Sequence, residues 1–323
     1  MVLKATAAVS RALFVALVVI VEVPDAWASP RQPSQAQPAD GNAQGAAQPP
    51  KQPPAPLFPR HGRGIYRNAS GKDVIDATPQ SPPLVTDDPA VPDDGQYEIN
   101  LLARLDHTRL EQHIDLLDVD ANYGCRPRIA GARVPMQLKL EVPLSAARAS
   151  GAPFTVGAGV TAAGVKMNFY DDERRGISLS WYPQLEFAMP GGRGVKKGLA
   201  DPGQTIVLPL LAAREFHELT MVFNAALETP LHDPTRRTTT ELGAAVGRAL
   251  TRKDAVMVEL RTDSTVNFRQ DRLVFVNAGL IHGVRHIVTY ASIGRSVVSS
   301  DGTVHLYGGV GIKVQIDTKK REG

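Results

Sequence analysis

A strict period of two in apolar residues constrains this chain more than any other feature. Near the C-terminus, Val304, Leu306, Val310, Ile312, Val314 and Ile316 alternate with His305, Tyr307, Lys313 and Gln315. Successive side chains of a strand point to opposite faces, so this spelling describes a strand with one apolar and one polar face. The pattern recurs at Tyr97, Ile99, Leu101, Ala103 and Leu105, at Leu117, Val119, Ala121 and Tyr123, at Met136, Leu138, Leu140, Val142 and Leu144, and at Ile177, Leu179, Trp181, Leu185 and Phe187. Weaker alternations run through residues 160–170, 205–214, 219–228, 239–250, 255–262, 273–281 and 285–295. Near Ala162 and Ala163 the phase slips, which predicts a bulge or a late strand start. The total is about twelve strands, an even number as single-chain bacterial barrels require.

Alternation alone also suits a soluble sandwich with one wet face. Connection lengths separate the two. With the first strand rising from the periplasm, the odd connections, at residues 106–111, 145–154, 190–203, 229–237, 263–272 and 296–303, include the longer loops. The even ones, at 171–174, 215–218, 251–254 and 282–284, are tight, and only 124–134, with Cys125, is long. Long loops at one end and short turns at the other mark an outer-membrane barrel. The expected fold is therefore an all-β, transmembrane, up-and-down antiparallel β-barrel over residues 95–317, with a polar tail at 318–323 and both termini in the periplasm. Aromatic residues Tyr97, Tyr123, Phe169, Trp181 and Phe187 fall on apolar faces, several near strand ends, as a sparse interfacial girdle would.

Composition agrees once barrels are admitted. A hydrophobic fraction of 43% would not suit a helical membrane protein, but alternating strands average to such a value. A net charge of +3 without a basic stripe argues against nucleic acid as a partner. At the N-terminus, Lys4 and Arg11 precede an apolar run from Ala12 to Val21, and Ala26-Trp27-Ala28 supplies small residues for cleavage. A cleaved signal peptide over 1–28 is preferred to an anchor, the run being shorter than the ~20 residues that span a bilayer. Residues 29–94, rich in Pro, Gln, Ala and Gly and then Pro, Asp and Gly, read as a disordered periplasmic linker with a small basic patch at Arg60 to Arg67. Cys125, the single cysteine, cannot form an internal disulfide and reads as an incidental turn residue.

Several short blocks resemble a family of proteobacterial outer-membrane proteins, the MetA-pathway-of-phenol-degradation or transporter family. They are Asp87-Asp88-Pro89 followed by Glu98-Ile99-Asn100, Asp118 to Gly124, Leu138 to Leu144, Gly164 to Tyr170, Tyr182-Pro183-Gln184-Leu185, and Leu208-Pro209-Leu210-Leu211 before Arg214-Glu215-Phe216. The resemblance covers roughly residues 87–317. It implies an outer-membrane barrel engaged in small-molecule passage, with no catalytic residues. Two features depart from the usual pattern: the enlarged Cys125 turn, and a C-terminus lacking the aromatic residue that the outer-membrane assembly machinery commonly recognises.

No enzyme chemistry is spelled out. The run Gly191 to Gly198 lacks the Lys-Ser/Thr pair and helix of a phosphate loop, and as a surface loop its cations would meet lipopolysaccharide phosphates. His217, His232, His282, His286 and His305 show no metal-ligand spacing, no Gly-x-Ser-x-Gly elbow occurs, and no cofactor is expected. The polar faces are the informative set. Glu98, Asn100, Arg104, Asp118, Asp120, Asn122, Lys139, Glu141, Lys166, Asn168, Gln184, Glu186, Glu228, Glu241, Glu259, Arg261, His305 and Lys313 should line the lumen as a possible solute path. Facing lipid near the midplane, a Lys or Arg would cost roughly 2–4 kcal/mol. Both signs occur, so a polar pore and a charge-paired interior without a throughway both fit. Passive passage of a small, aromatic or hydrophobic solute is the leading expectation. A non-conducting barrel that serves as a structural or partner-binding surface protein is the alternative.

Overall fold

The structure, a computed structural model, describes residues 65–67 and 72–318, apart from 173, 217, 232, 234, 269, 270, 285 and 286. The signal peptide, most of the linker with the basic patch around Arg60, the tail beyond 318 and the side chains of His217, His232 and His286 lie outside the described residues. A short strand pair, β1 (Ile65–Arg67) and β2 (Asp73–Ile75), precedes the wall.

The wall is a closed antiparallel barrel of twelve strands. Its order is β3 (Gln96–His107), β4 (Glu111–Cys125), β7 (Met136–Ala149), β9 (Val160–Asp172), the interrupted pair β10 (Ile177–Trp181) and β11 (Gln184–Ala188), then β12 (Gln204–Phe216), β13 (Leu219–Leu231), β14 (Thr239–Ala249), β15 (Asp254–Thr265), β16 (Leu273–Val284), β17 (Ile287–Ser299) and β18 (Leu306–Asp317). β18 pairs with β3 from Leu306↔His107 to Asp317↔Gln96, which removes any free edge. β8 (Thr155–Ala158) extends the hairpin after β7 on the loop end.

Alternation becomes an inside and an outside. Val258, Leu260, Val276, Leu280, Ile293 and Val310 are exposed on the outer face, Ile293 at 73%, while their neighbours Met257, Glu259, Phe275 and Asn277 are buried. An apolar outer belt above a polar interior is stable only in a bilayer. At the terminal end, Tyr97 and Tyr123 stack on that belt with ring centroids 4.7 Å apart.

The long terminal-end connection is a small hairpin, β5 (Arg128–Ile129) and β6 (Ala132–Arg133). Its turn residues Ala130 and Gly131 both have positive φ, as tight hairpins need. The slip expected at Ala162 and Ala163 is elsewhere. Both residues stay in register with β11, and the bulge falls where Leu179 pairs with Tyr170 but Ser180 with Asn168, leaving Phe169 unopposed. Small residues at 162 and 163 blur the pattern without breaking the ladder. A helical turn at Val195–Lys197 lies within the Gly191 to Gly198 loop.

Candidate functional site: a lumen closed by an inner strap

Residues 73–94, expected as linker, instead form a strap inside the barrel. The chain enters at the terminal end, where the Ile75 N–H donates to the Thr251 carbonyl. It rises to an apex at Val85–Asp87 and returns past Pro92 and Asp93 to β3. Low self-complementarity misled the composition argument, because the wall supplies the missing partners. Prolines at 79, 82, 83, 89 and 92 restrict the free chain and reduce the entropy lost on ordering.

Glu259 anchors the apex. It is fully buried and accepts the Val85 N–H at 3.1 Å, the Thr86 N–H at 2.5 Å and the Asn277 Nδ2. Lys166 grips the descending limb through Asp87 at 2.7 Å and the Asp88 carbonyl at 2.9 Å. Asn168 donates to the Pro89 carbonyl at 3.1 Å and to Ser178 at 2.8 Å, and Ser180 also bonds Pro89. Lys313 reaches Gln80 at 2.6 Å. With its amide oriented by its neighbours, Asn224 brackets the Asp87 peptide, donating to the carbonyl at 2.8 Å and accepting the N–H at 2.7 Å. Close approach needs inward glycines: the Ala77 carbonyl takes the space of a β-carbon at Gly247, and the Pro92 and Asp93 carbonyls that at Gly124.

The remaining expected lumen residues divide into three groups. A charge network occupies β3, β4, β7 and β18. Arg104 meets Asp115 at 3.2 Å, Asp118 at 2.5 Å and Glu141 at 2.9 Å, and Lys139 meets Glu141 at 2.7 Å. Lys313 pairs with Glu98 at 3.1 Å, Asn100 donates to Asp120 at 3.0 Å, and Gln137 donates to Asn122 at 2.6 Å. A second set, Arg261 with Glu241 at 3.4 Å and Asp263 at 3.2 Å, lies across the barrel.

The third group lines open space. A cavity of about 330 Å³ sits above the apex, bounded by Ser81, Val85 and Asp87 below and by Gln184, Glu186, Glu228 and Glu241 on the wall. Val160, Val207, Leu211 and Ala226 give it an apolar side. Glu228 also lines a mouth of about 530 Å³ with Thr205, Arg236 and Arg237. His305 stands apart from the strands. It precedes β18 at the loop end, with Nδ1 3.8 Å from Asp106 and its ring edge-on to Phe275.

Sequence reasoning missed Gln80, Asp87 and Asp88 on the strap, and Ser180, Tyr182, Asn224, Asn277 and Tyr290 on the wall. The usable signal was glycine at inward positions of otherwise regular strands, Gly243 and Gly247 on β14 and Gly279 and Gly283 on β16. Interior strand glycines mark places where another segment comes close: the Ala77 carbonyl at Gly247, and the side chains of Thr86, Leu84 and Ile75 at Gly243, Gly279 and Gly283.

Among solved structures, an outer membrane channel from Pseudomonas putida F1 superimposes with a TM-score of 0.55 at 11% identity, covering 70% of this chain and 97% of that one. The fold is that of an outer-membrane β-barrel. A KdgM porin in complex with oligogalacturonate (TM-score 0.42, 10% identity, 67% and 98% covered) and the translocator domain of the autotransporter NalP from Neisseria meningitidis (0.43, 12%, 68% and 87%) superimpose too loosely to add to that. No family model matches the chain, and no curated protein matches it by sequence.

Proposed function

We propose that this chain is an outer-membrane channel for a small solute, held shut in the described state by its own strap. The observation that carries the reading is the open space itself. A mouth and a deeper chamber run from the loop end through Glu228 and stop on Val85 and Asp87 of the strap. The wall around the chamber is part carboxylate, part apolar, which suits a small aromatic or hydrophobic solute carrying a polar group. Resemblance to the MetA-pathway-of-phenol-degradation family, which implies small-molecule passage, supports the same reading. In this reading the loops face the exterior beside lipopolysaccharide and both termini face the periplasm, where the strap would swing out.

Planar-bilayer recording of the full chain against a variant lacking residues 73–92 tests it. Brief, rare openings in the full chain and steady conductance in the deletion are expected. Silence in both, from protein that still shows heat-modifiable migration, would favour the non-conducting surface barrel, a reading for which the ion-paired network around Arg104 is the supporting observation.

A further inference from the structure

A second chamber, of about 80 Å³, lies beneath the one above the strap apex and reaches toward the terminal end along Asp76, Pro92 and Gln315. Four residues line both spaces: Ser81 and Asp87 on the strap, Lys139 and Tyr182 on the wall. Side chains shared by two cavities stand between them. A thin partition thus divides a passage that runs beside the strap, from the loop-end mouth through Glu228 toward the terminal end.

The four residues are not held alike. Asp87 meets Lys166 at 2.7 Å, and Asn224 brackets its peptide. The Ser81 N–H turns back to Asp87 at 3.4 Å. Lys139 is paired with Glu141 at 2.7 Å. Tyr182 stands in the break between β10 and β11, beside Pro183, which has no N–H to give to a ladder. Its backbone is pinned: its N–H donates to the Pro209 carbonyl at 3.0 Å, and the Pro183 carbonyl accepts the Val165 N–H at 3.0 Å.

The Tyr182 side chain is tied far more loosely. A buried tyrosine ordinarily secures a good partner for its hydroxyl. Tyr182 is only 3% exposed, yet among the described residues its hydroxyl has one bond, from the Gln137 amide at 3.4 Å. That same amide lies nearer to Asn122, at 2.6 Å. Ring contacts do the rest. The ring crosses β9 at Gly164, 3.2 Å from where a β-carbon would stand, and Lys166 Nζ and Lys139 Nζ lie 4.8 Å and 5.9 Å from its centroid. Moving it takes a change of rotamer, with no shift of strand or strap.

We propose that Tyr182 is an inner gate on this side passage. When its ring turns away the two chambers join, and water and small ions pass beside a strap that stays in place and still excludes the solute. The proposal rests on the channel reading and divides its selectivity in two, the strap setting the limit for solute and Tyr182 the limit for ions. It also gives a task to the Tyr182-Pro183-Gln184-Leu185 block, whose proline interrupts the strand at the residue that closes the passage.

The test is planar-bilayer recording of the full chain, strap included, carrying Tyr182→Ala. Potassium chloride conductance at least tenfold above the closed level of wild type is expected, while liposome swelling in raffinose stays at the wild-type rate. Tyr182→Phe keeps the ring and should be as tight as wild type. If the alanine variant loses heat-modifiable migration, Tyr182→Leu takes its place. A folded alanine variant as tight as wild type, beside a strap-deleted variant that conducts, overturns the gate and leaves the channel standing. Silence in both overturns the two readings together. A parallel rise in ion conductance and raffinose uptake also overturns the gate, because the strap itself would then have moved.

Discussion

If Glu259 holds the apex of the strap, replacing it should open the barrel without unfolding it. Glu259→Ala removes the acceptor of the Val85 and Thr86 N–H groups and of the Asn277 amide. In the closed state those donors are buried and lose their partner, at about 1–3 kcal/mol each. Once the strap leaves, the two backbone groups reach water, so the penalty falls mainly on the closed form. Part of it is offset, because a fully buried carboxylate no longer has to be desolvated. A net shift of about 2–3 kcal/mol remains. At 1.4 kcal/mol per tenfold, the ratio of open to closed barrels should rise roughly 30- to 150-fold. Single-channel recording reads that ratio as open probability, with the strap-deleted variant as ceiling and heat-modifiable migration as the check on folding. An open probability within threefold of wild type, in a folded barrel, would refute the idea that this contact closes the lumen.

Gly247→Ala should act in the same direction from the neighbouring strand, since a β-carbon there collides with the Ala77 carbonyl. Higher conductance in liposome swelling is the expected readout. Lys166→Met removes the ammonium that meets Asp87 at 2.7 Å and Asp88 at 3.7 Å and should also raise open probability. Adding Asp87→Asn and Asp88→Asn should recover much of the closure, a coupling that a double-mutant cycle measures. On the outer face, Val258→Arg should destabilise the barrel by roughly 2–4 kcal/mol if it lies near the bilayer midplane, and less toward either interface. Denaturant refolding into lipid vesicles reads that cost. A cysteine at Lys196, in the loop joining β11 to β12, should be labelled by a membrane-impermeant maleimide on intact cells, and one at Arg252, in a terminal-end turn, should not.

The wall was legible from sequence because burial in a barrel acts with a fixed period. Leucine and valine on β15 and β16 face lipid, Glu259 and Asn277 face inward, and a one-residue slip would invert both sets. Loop sorting added the ends. The strap was illegible for the opposite reason. Between Asp76 and Asp94 no side-chain period exists, and much of what the wall recognises is backbone: the N–H groups of residues 85 and 86, and the carbonyls of 88 and 89. Backbone carries no sequence signature, so only its imprint on the wall could betray it. That imprint was present as inward glycines at 124 and 247, where strap carbonyls take the space of a β-carbon, and as buried donors at Lys166 and Asn168.

The same imprint explains why an interior rich in charge does not by itself decide between pore and plug. A residue such as Lys139 or Arg104 satisfied by its wall neighbours leaves the lumen geometry to others. Lys166 and Glu259, by contrast, have their main partners on the strap and would be left with unmet charge when it moves. An open state must therefore hydrate these two groups or offer them to a solute. The first polar groups that an entering molecule meets below the apex would then be the ones that had held the strap.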